Sequence, residues 1–383
     1  MFYDPIRRTA AEIVINGKFL LATLEGMPRV AREVTGAIDT LLATPDYRGV
    51  TVTLLAPPGG AERITLQRIA VEEVGRHTGL LWEQLDLPRA LRGRYCINFT
   101  NTAPVVRRSG CVVVHDAQFR SSPASHGLRS KVLYGMITPY VARHYQRLVT
   151  VSHFSREQLV RYAVCDRADI EVVPNGIDHV LTQPVSDAVL TRFGLMPGGY
   201  VLTNSSFHAH KNVQTIFDAV APDADLAGRL VLFGGPDRGT LSERGLRVPD
   251  GVRFTGRVDD ADLAALMRHA ALFLFPSTTE GFGLPPLEAM ALGCPTIASH
   301  AGAMPEVCAD GAMLVPALDA AAWRAAIRRL LADPEARAAL SAAGRARAAR
   351  FRWREAARRY LDLALADLGV VVPMPVADVH IPA

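Results

Sequence analysis

The 383-residue sequence predicts an α/β protein of two doubly wound units, each a parallel sheet with helices on both faces. Three observations carry this prediction. Short apolar runs alternate with amphipathic helical patterns; the alternation breaks in a turn-rich stretch near residues 179–198 and then begins again; and a composition of 49% hydrophobic and 21% charged residues is that of a globular chain long enough for two cores.

The elements follow in order. The opening "MFYDPIRRTAAEIVING" holds a first strand, "EIVIN", and lacks the continuous apolar segment and small-residue cleavage site of a secretory signal, so a cytoplasmic protein is expected. The helix pattern "PRVAREVTGAIDTLLA" leads to the strands "GVTVTLLAP", "CVVVHDA", "RLVTVS" and "DIEVVPN". Residues 129–147, "RSKVLYGMITPYVARHYQR", are basic at both ends and apolar between, which fits either a crossover helix or a helix lying on a membrane surface. The second unit runs through "YVLTNSS", "KNVQTIFDAVA", "RLVLFGG", "GVRFTG", "ADLAALMRHA", "LFLFPS", "PLEAMALG", "CPTIAS" and "GAMLV". Residues 1–180 are assigned to the first domain and 181–350 to the second; 351–368 are assigned to a helix expected to cross back to the first, and 369–383 to a strand-like, Pro-interrupted tail. Sheets of this Rossmann-like kind hold ligands beyond the carboxyl ends of their strands, so two of them facing each other would share a central cleft.

Several function classes find no support. No apolar run approaches the roughly 20 residues that span a bilayer. The five cysteines (Cys96, Cys111, Cys165, Cys294, Cys308) form no C-x-x-C pair and read as buried thiols, neither a disulfide framework nor a zinc site. A net charge of +4 suits phosphate-bearing ligands or an anionic membrane surface but does not single them out, and nothing points to nucleic acid. The glycine pairs at 59–60 and 234–235 stand outside any G-x-G-x-x-G pattern. Asp223-Ala224-Asp225 and Asp260-Ala261-Asp262 have metal-like spacing, yet both lie at helix entries, where aspartate caps; no metal ligand is assigned.

The chemistry concentrates in "TTEGFGLPPLEAM", residues 278–290, where a strand, a tight loop and a helix follow one another. The first N–H groups of a helix lack intrahelical partners and carry partial positive charge, so a loop entering a helix suits an anion, here a phosphate. Gly281 and Gly283 permit close approach to the backbone, and Pro285 and Pro286 suit a first turn. Glu288, one turn into the helix, leans back toward the loop. A carboxylate there is matched to hydroxyls, such as a ribose diol, and Glu280 on the other side of the glycines to a second set at the far end of the same diphosphate. That arrangement describes a nucleotide sugar. Each carboxylate also has a bland reading as a solvated loop or helix residue.

The spacing of "EGFGLPPLE" resembles the signature of glycosyltransferase family 4, the retaining GT-B enzymes. "INGKFLLATLEGMPRVAREV" resembles the opening of bacterial mannosyltransferase-like members, and "VVVHDAQF", "TVSHFSREQL", "VVPNGID", "HKNVQT", "FTGRVDDADL" and "FRWREAARRYLDL" keep the family's order. The resemblance implies that Glu280 holds hydroxyls of the donor sugar, with the amides of Phe282, Gly283 and Leu284 beside the sugar and distal phosphate; that Glu288 holds the ribose; and that Lys211 neutralises the diphosphate. It implies that Gly26 lets the N-terminal domain close over the phosphates and that His115 lies under the anomeric centre, although His115 after four apolar residues also reads as a core histidine, and Lys211 before Asn212 as part of a capped helix start. Many relatives carry an arginine where Ser205 stands, six positions before the lysine. Either the hydroxyls of Ser205 and Ser206 suffice, or Arg29 or another residue supplies the second cation; the two serines equally read as turn residues. Asp116 fixes a loop or approaches the acceptor.

The activity so implied is transfer of a hexose or deoxyhexose, mannose from GDP-mannose first, to a glycan or lipid-linked glycan acceptor of bacterial surface polysaccharide. It would proceed with retention, without metal or cofactor, in the cytoplasm or peripherally on the inner membrane. Lys211 and the amides opening the helix would stabilise the departing diphosphate, whose oxygen would take the acceptor's proton. Two alternatives stay open: a sugar phosphorylase or nucleotide-sugar hydrolase of the same fold, and a non-catalytic nucleotide-sugar-binding protein.

Overall fold

Two all-parallel sheets organise the computed structural model, which describes residues 11–121, 128–184 and 186–370, the side chains of 121–134 excepted. The first has seven strands: β1 (Ala11–Asn16), β2 (Val50–Ala56), β3 (Ala70–Glu73), β4 (Tyr95–Asn98), β5 (Gly110–Val113), β6 (Arg147–Thr150) and β7 (Glu171–Val172), in the order β3-β2-β1-β4-β5-β6-β7. The second has β8 (Val201–Asn204), β9 (Leu230–Phe233), β10 (Arg253–Gly256), β11 (Leu272–Phe275), β12 (Thr296–Ser299) and β13 (Met313–Val315), in the order β10-β9-β8-β11-β12-β13. Strands buried on both faces are needed beneath two helical layers. Accordingly, β4, β5, β9, β11 and β12 are buried at every residue.

Each order reverses direction once, between β1 and β4 in the first sheet and between β8 and β11 in the second. At such a switch point the helices on either side depart in opposite directions and leave a crevice beyond the strand ends. Both strands that escape the apolar-run reading of the sequence belong to the first sheet. β4 reads Tyr-Cys-Ile-Asn and gives way at once to the polar loop Thr100, Asn101 and Thr102, so its apolar run is too short to register. β3, Ala-Val-Glu-Glu, is an edge strand with three of its four residues exposed. An edge strand needs no two-sided apolar pattern.

The chain divides into two compact units. One comprises the first sheet, taking in the chain up to Ser121 and from Gly127 to Gly176, together with the chain from Trp353 onward; the other is Ile177–Arg352. The helix Trp353–Asp367 therefore packs in the first unit. It buries Trp353, Ala357, Tyr360, Leu361 and Ala364, sets Tyr360 edge-on to Phe99 at 5.1 Å, and accepts hydrogen bonds from Tyr47 on Asp362 (2.9 Å) and from Tyr95 on Asp367 (2.8 Å). Residues 371–383, the expected tail, lie outside the described residues, as do residues 1–10.

At the carboxyl ends of β1 and β4 the first unit holds a buried polar cluster that sequence reading missed. Glu83, fully buried on a π-helical turn (Trp82–Asp86), receives Lys18 Nζ at 2.7 Å, Asn16 Nδ2 at 2.9 Å and Thr102 Oγ1 at 2.7 Å. Asn16 also donates to Asn98 Oδ1 (2.9 Å), which ties the two strand ends together. A buried carboxylate is tolerated only with such pairing.

The stretch 129–147 forms the helix Leu128–His144, and its C-terminal end behaves as a crossover: Val141 and Ala142 are buried and join Val112, Val114 and Leu148 in the core. The aspartates of metal-like spacing stand at helix entries. Asp223 caps Ala224–Arg229 by accepting from Leu226 N; Asp260 and Asp262 lie in the first turn of Asp260–His269, whose cap is Asp259. All five cysteines are free and buried, and burial pushes their thiol pKa values up. Among the described residues no helix is long and apolar enough to cross a membrane.

Candidate functional site

The switch point of the second unit brings together two loops, 205–211 after β8 and 276–283 after β11, because those strands are neighbours (Leu272 opposite Val201, Leu274 opposite Thr203). One backbone bond and one side-chain amide lock the loops: Thr278 N donates to His210 O (2.7 Å), and Asn212 Nδ2 donates to Pro276 O (3.0 Å) and Ala317 O (2.7 Å). Asn212 adopts a left-handed φ of 53°, which asparagine tolerates, and thereby turns the chain into the helix Val213–Val220 with Lys211 just before it. The result is a direct pair: Lys211 Nζ donates to Glu280 Oε1 at 2.7 Å, with the lysine side chain 30% and the glutamate 13% exposed.

A segment that sequence reading did not single out supports Glu280 from behind. Gly302 has φ +62°, and a Cβ there would lie 2.7 Å from Glu280 N; the next residue, Ala303, donates its N–H to Glu280 O (3.1 Å). The glycine is thus what allows the 300–303 turn to touch the loop. After Gly281 and Phe282, both buried, Gly283 begins the helix Leu284–Ala291 at φ +91° with no side-chain cap. Pro285 and Pro286 carry no N–H, so the unpaired donors at this helix start come from Gly283 and Leu284, while Leu287 N–H closes the first helical turn. Phe282 packs edge-on against Phe351, 5.6 Å between centroids.

Glu288 is mostly buried inside that helix, and its Oε1 lies 3.2 Å from Nε2 of His179. His179 sits just after "PNGID", on the turn Asp178–Thr182; nothing in that string announced the pairing, which only tertiary contact creates.

The serine question takes a definite form. Ser205 Oγ donates to Pro236 O at 2.5 Å and is 3% exposed, and Ser206 Oγ accepts from His208 N at 3.2 Å. In this arrangement the Ser205 proton is committed to a backbone carbonyl and is not offered to a phosphate, so the residue takes the turn reading rather than the ligand reading.

The other candidates belong to the first unit. His115 lies two residues beyond β5, 6% exposed, and is fixed three times over: its N–H donates to Asn101 Oδ1 (2.8 Å), its carbonyl accepts from Ser155 Oγ (2.7 Å), and its Nε2 donates to Phe99 O (2.7 Å). Ser155 comes from "TVSHFSREQL", where Ser152 caps the helix His153–Arg161; the string therefore serves to hold His115. Burial, partly offset by the bond to Phe99, lowers the His115 pKa to about 4. The ring is then neutral at pH 7 with its proton on Nε2, and Nδ1 keeps a lone pair able to accept from a hydroxyl. Asp116 Oδ1 accepts from Gln118 N (2.9 Å) and starts the turn Gln118–Ser121, the loop-fixing reading. Gly26, φ +54°, opens the helix Met27–Leu41, and Arg29 on its first turn donates to Leu24 O (3.1 Å).

The sequence and the fold have counterparts among known proteins. Residues 38–181 match the family model "Glycosyltransferase Family 4" and residues 197–347 the model "Glycosyl transferases group 1". The chain belongs to the family 4, GT-B glycosyltransferases. It is 32% identical to O-antigen chain mannosyltransferase B of Escherichia coli over 54% of this chain and 57% of that protein, and 35% identical to MMP alpha-(1->4)-mannosyltransferase of Mycolicibacterium hassiacum over 57% and 53%. The chain spans little more than half the length of these relatives. The fold is shared with Anabaena HepE, solved in complex with UDP and glucose, at 19% identity and a TM-score of 0.66 over 93% of this chain and 100% of that one.

Proposed function

We propose that the protein transfers a hexose or deoxyhexose from a nucleoside diphosphate to a glycan or lipid-linked glycan acceptor, with mannose from GDP-mannose the first donor to try. The observation that carries this reading is the Lys211–Glu280 pair at the β8/β11 switch point, with Glu280 in the glycine loop that enters a helix lacking a side-chain cap. Two mannosyltransferase relatives support mannose, the UDP and glucose complex of a same-fold neighbour supports a nucleotide sugar, and an O-antigen relative supports surface polysaccharide synthesis.

In this reading the donor's diphosphate takes Lys211 away from Glu280. The ammonium and the amides of Phe282, Gly283 and Leu284 then neutralise the leaving group, each charge-assisted bond contributing about 1.5–3 kcal/mol, and the released carboxylate accepts from donor-sugar hydroxyls. Glu288 accepts from the ribose. With Ser205 committed elsewhere, Arg29 is the candidate second cation, and Gly26 lets its loop approach the phosphates. His115, neutral, orients a sugar hydroxyl through Nδ1 rather than acting as a cation. Attack occurs on the face the diphosphate leaves, so configuration is retained; the C1–O bond to the phosphate breaks, the bond to the acceptor oxygen forms, and the phosphate oxygen takes the acceptor's proton. Neither metal nor cofactor is required. The protein works in the cytoplasm or peripherally on the inner membrane, where a lipid-linked acceptor resides.

Incubation with GDP-mannose, UDP-glucose and dTDP sugars, with and without a mannose-terminated acceptor, tests the activity. Donor-dependent product of retained anomeric configuration that persists in EDTA and is lost in Glu280→Ala is expected. Sugar 1-phosphate formed only with added phosphate would favour the phosphorylase reading, free sugar alone the hydrolase, and donor binding without turnover the sensor.

A further inference from the structure

The Glu288 carboxylate is the most buried acid of the candidate site, 8% exposed, and it is held asymmetrically. Its Oε1 lies 3.2 Å from His179 Nε2, whereas among the described residues no partner is found for Oε2. His179 is itself 8% exposed, on a turn that packs against the helix Leu284–Ala291. The imidazole nitrogen and one carboxylate oxygen are thus in direct polar contact inside the second unit. The terminal torsion of a glutamate is broad, so an unheld carboxylate rotates through many orientations; a contact on one oxygen fixes its plane and leaves the other oxygen presented in one direction. Hydroxyls compete well for an acceptor whose orientation is already set, because the ordering cost is not charged to binding.

We infer that His179 is a positioning residue for the nucleoside: it holds Glu288 by Oε1 so that Oε2 accepts from the vicinal hydroxyls of a ribose, making discrimination between ribo- and deoxynucleotides depend on a residue that touches neither. The inference rests on the assignment of Glu288 to the ribose. Sequence reading gives no hint of it, since His179 precedes Glu288 by more than a hundred positions.

The test is calorimetric titration of the full-length protein with GDP, UDP and their 2′,3′-dideoxy counterparts. The native protein is expected to prefer the ribose form of whichever base it binds by about tenfold, the equivalent of one charged hydrogen bond. Glu288→Gln loses this preference. His179→Leu, which keeps side-chain volume, narrows it to about twofold, and His179→Gln, which keeps a donor, restores most of it, with all variants melting within a few degrees of the native protein. A merely structural His179 would weaken both forms alike and leave their ratio unchanged. If His179→Leu keeps the tenfold ratio while Glu288→Gln loses it, the inference is overturned and Glu288 keeps its role. If the native protein binds neither nucleotide or does not discriminate, the ribose assignment falls and the inference with it.

Discussion

Single residues decide how accurately the two carboxylates are presented. Glu280 and Glu288 are legible in the sequence because the glycines and prolines between them mark a loop entering a helix, whereas Lys211 was singled out only by the family resemblance of the string around it. The groups that hold them are not legible, because His179 and Gly302 reach them only through the fold. Gly302→Ala places a Cβ against Glu280 N at a left-handed φ; it should cost about 1–2 kcal/mol in stability and reduce donor affinity or turnover about tenfold or more. Gly194→Ala is the control, since Gly194 also has a left-handed φ, +57°, but open space around its Cβ. It should lose similar stability in chemical unfolding and keep full activity. His115 supplies a pH signature. Its folded pKa near 4 lies below the unfolded value near 6.5, so below pH 6.5 the unfolded chain takes up a proton that the folded one refuses. Stability is fully present above pH 6.5 and is lost as pH falls toward 4, by about 2 kcal/mol at pH 5 from this residue. Urea unfolding at pH 7.5 and pH 5 should show that loss in the native protein and a smaller one in His115→Gln.

At the scale of elements, the strands that were readable are those whose apolar runs are set off by helical patterns and turns, including all six of the second sheet. β3 and β4 were not, the one because it is a polar edge, the other because four residues ending in asparagine offer no period. The helix Trp353–Asp367 was visible as a periodic pattern, and the structure gives its work in the first unit: Tyr360 packs on Phe99, whose carbonyl accepts from His115. Burial of Tyr360 leaves its hydroxyl without a partner among the described residues. Tyr360→Phe should therefore be neutral or stabilising, because a buried unsatisfied group is removed with no change of shape, whereas Tyr360→Ala should cost about 3–5 kcal/mol by opening a cavity. A fall in melting temperature for Tyr360→Phe would contradict this account. The π-helical turn of Glu83 is the converse case, a fully paired buried carboxylate: Glu83→Ala strands Lys18 and should cost about 3–5 kcal/mol.

For the molecule as a whole, duplicated strand–helix alternation was enough to predict two doubly wound sheets, since a parallel sheet demands crossovers and crossovers demand helices. The switch point was not legible, because strand order is set by packing and not by local pattern. It is nevertheless what joins Lys211 to Glu280 across 69 positions of sequence. The central claim, that this switch point of the second unit grips the diphosphate of a nucleotide sugar, is tested most directly by calorimetric titration of the native protein and of Lys211→Ala with GDP-mannose, UDP-glucose and dTDP-glucose. At least one donor should bind the native protein, and Lys211→Ala should weaken that donor about tenfold or more, the worth of one charge-assisted bond, without lowering the melting temperature. Equal affinity in the two proteins, or no binding of any donor to the native one, would contradict it.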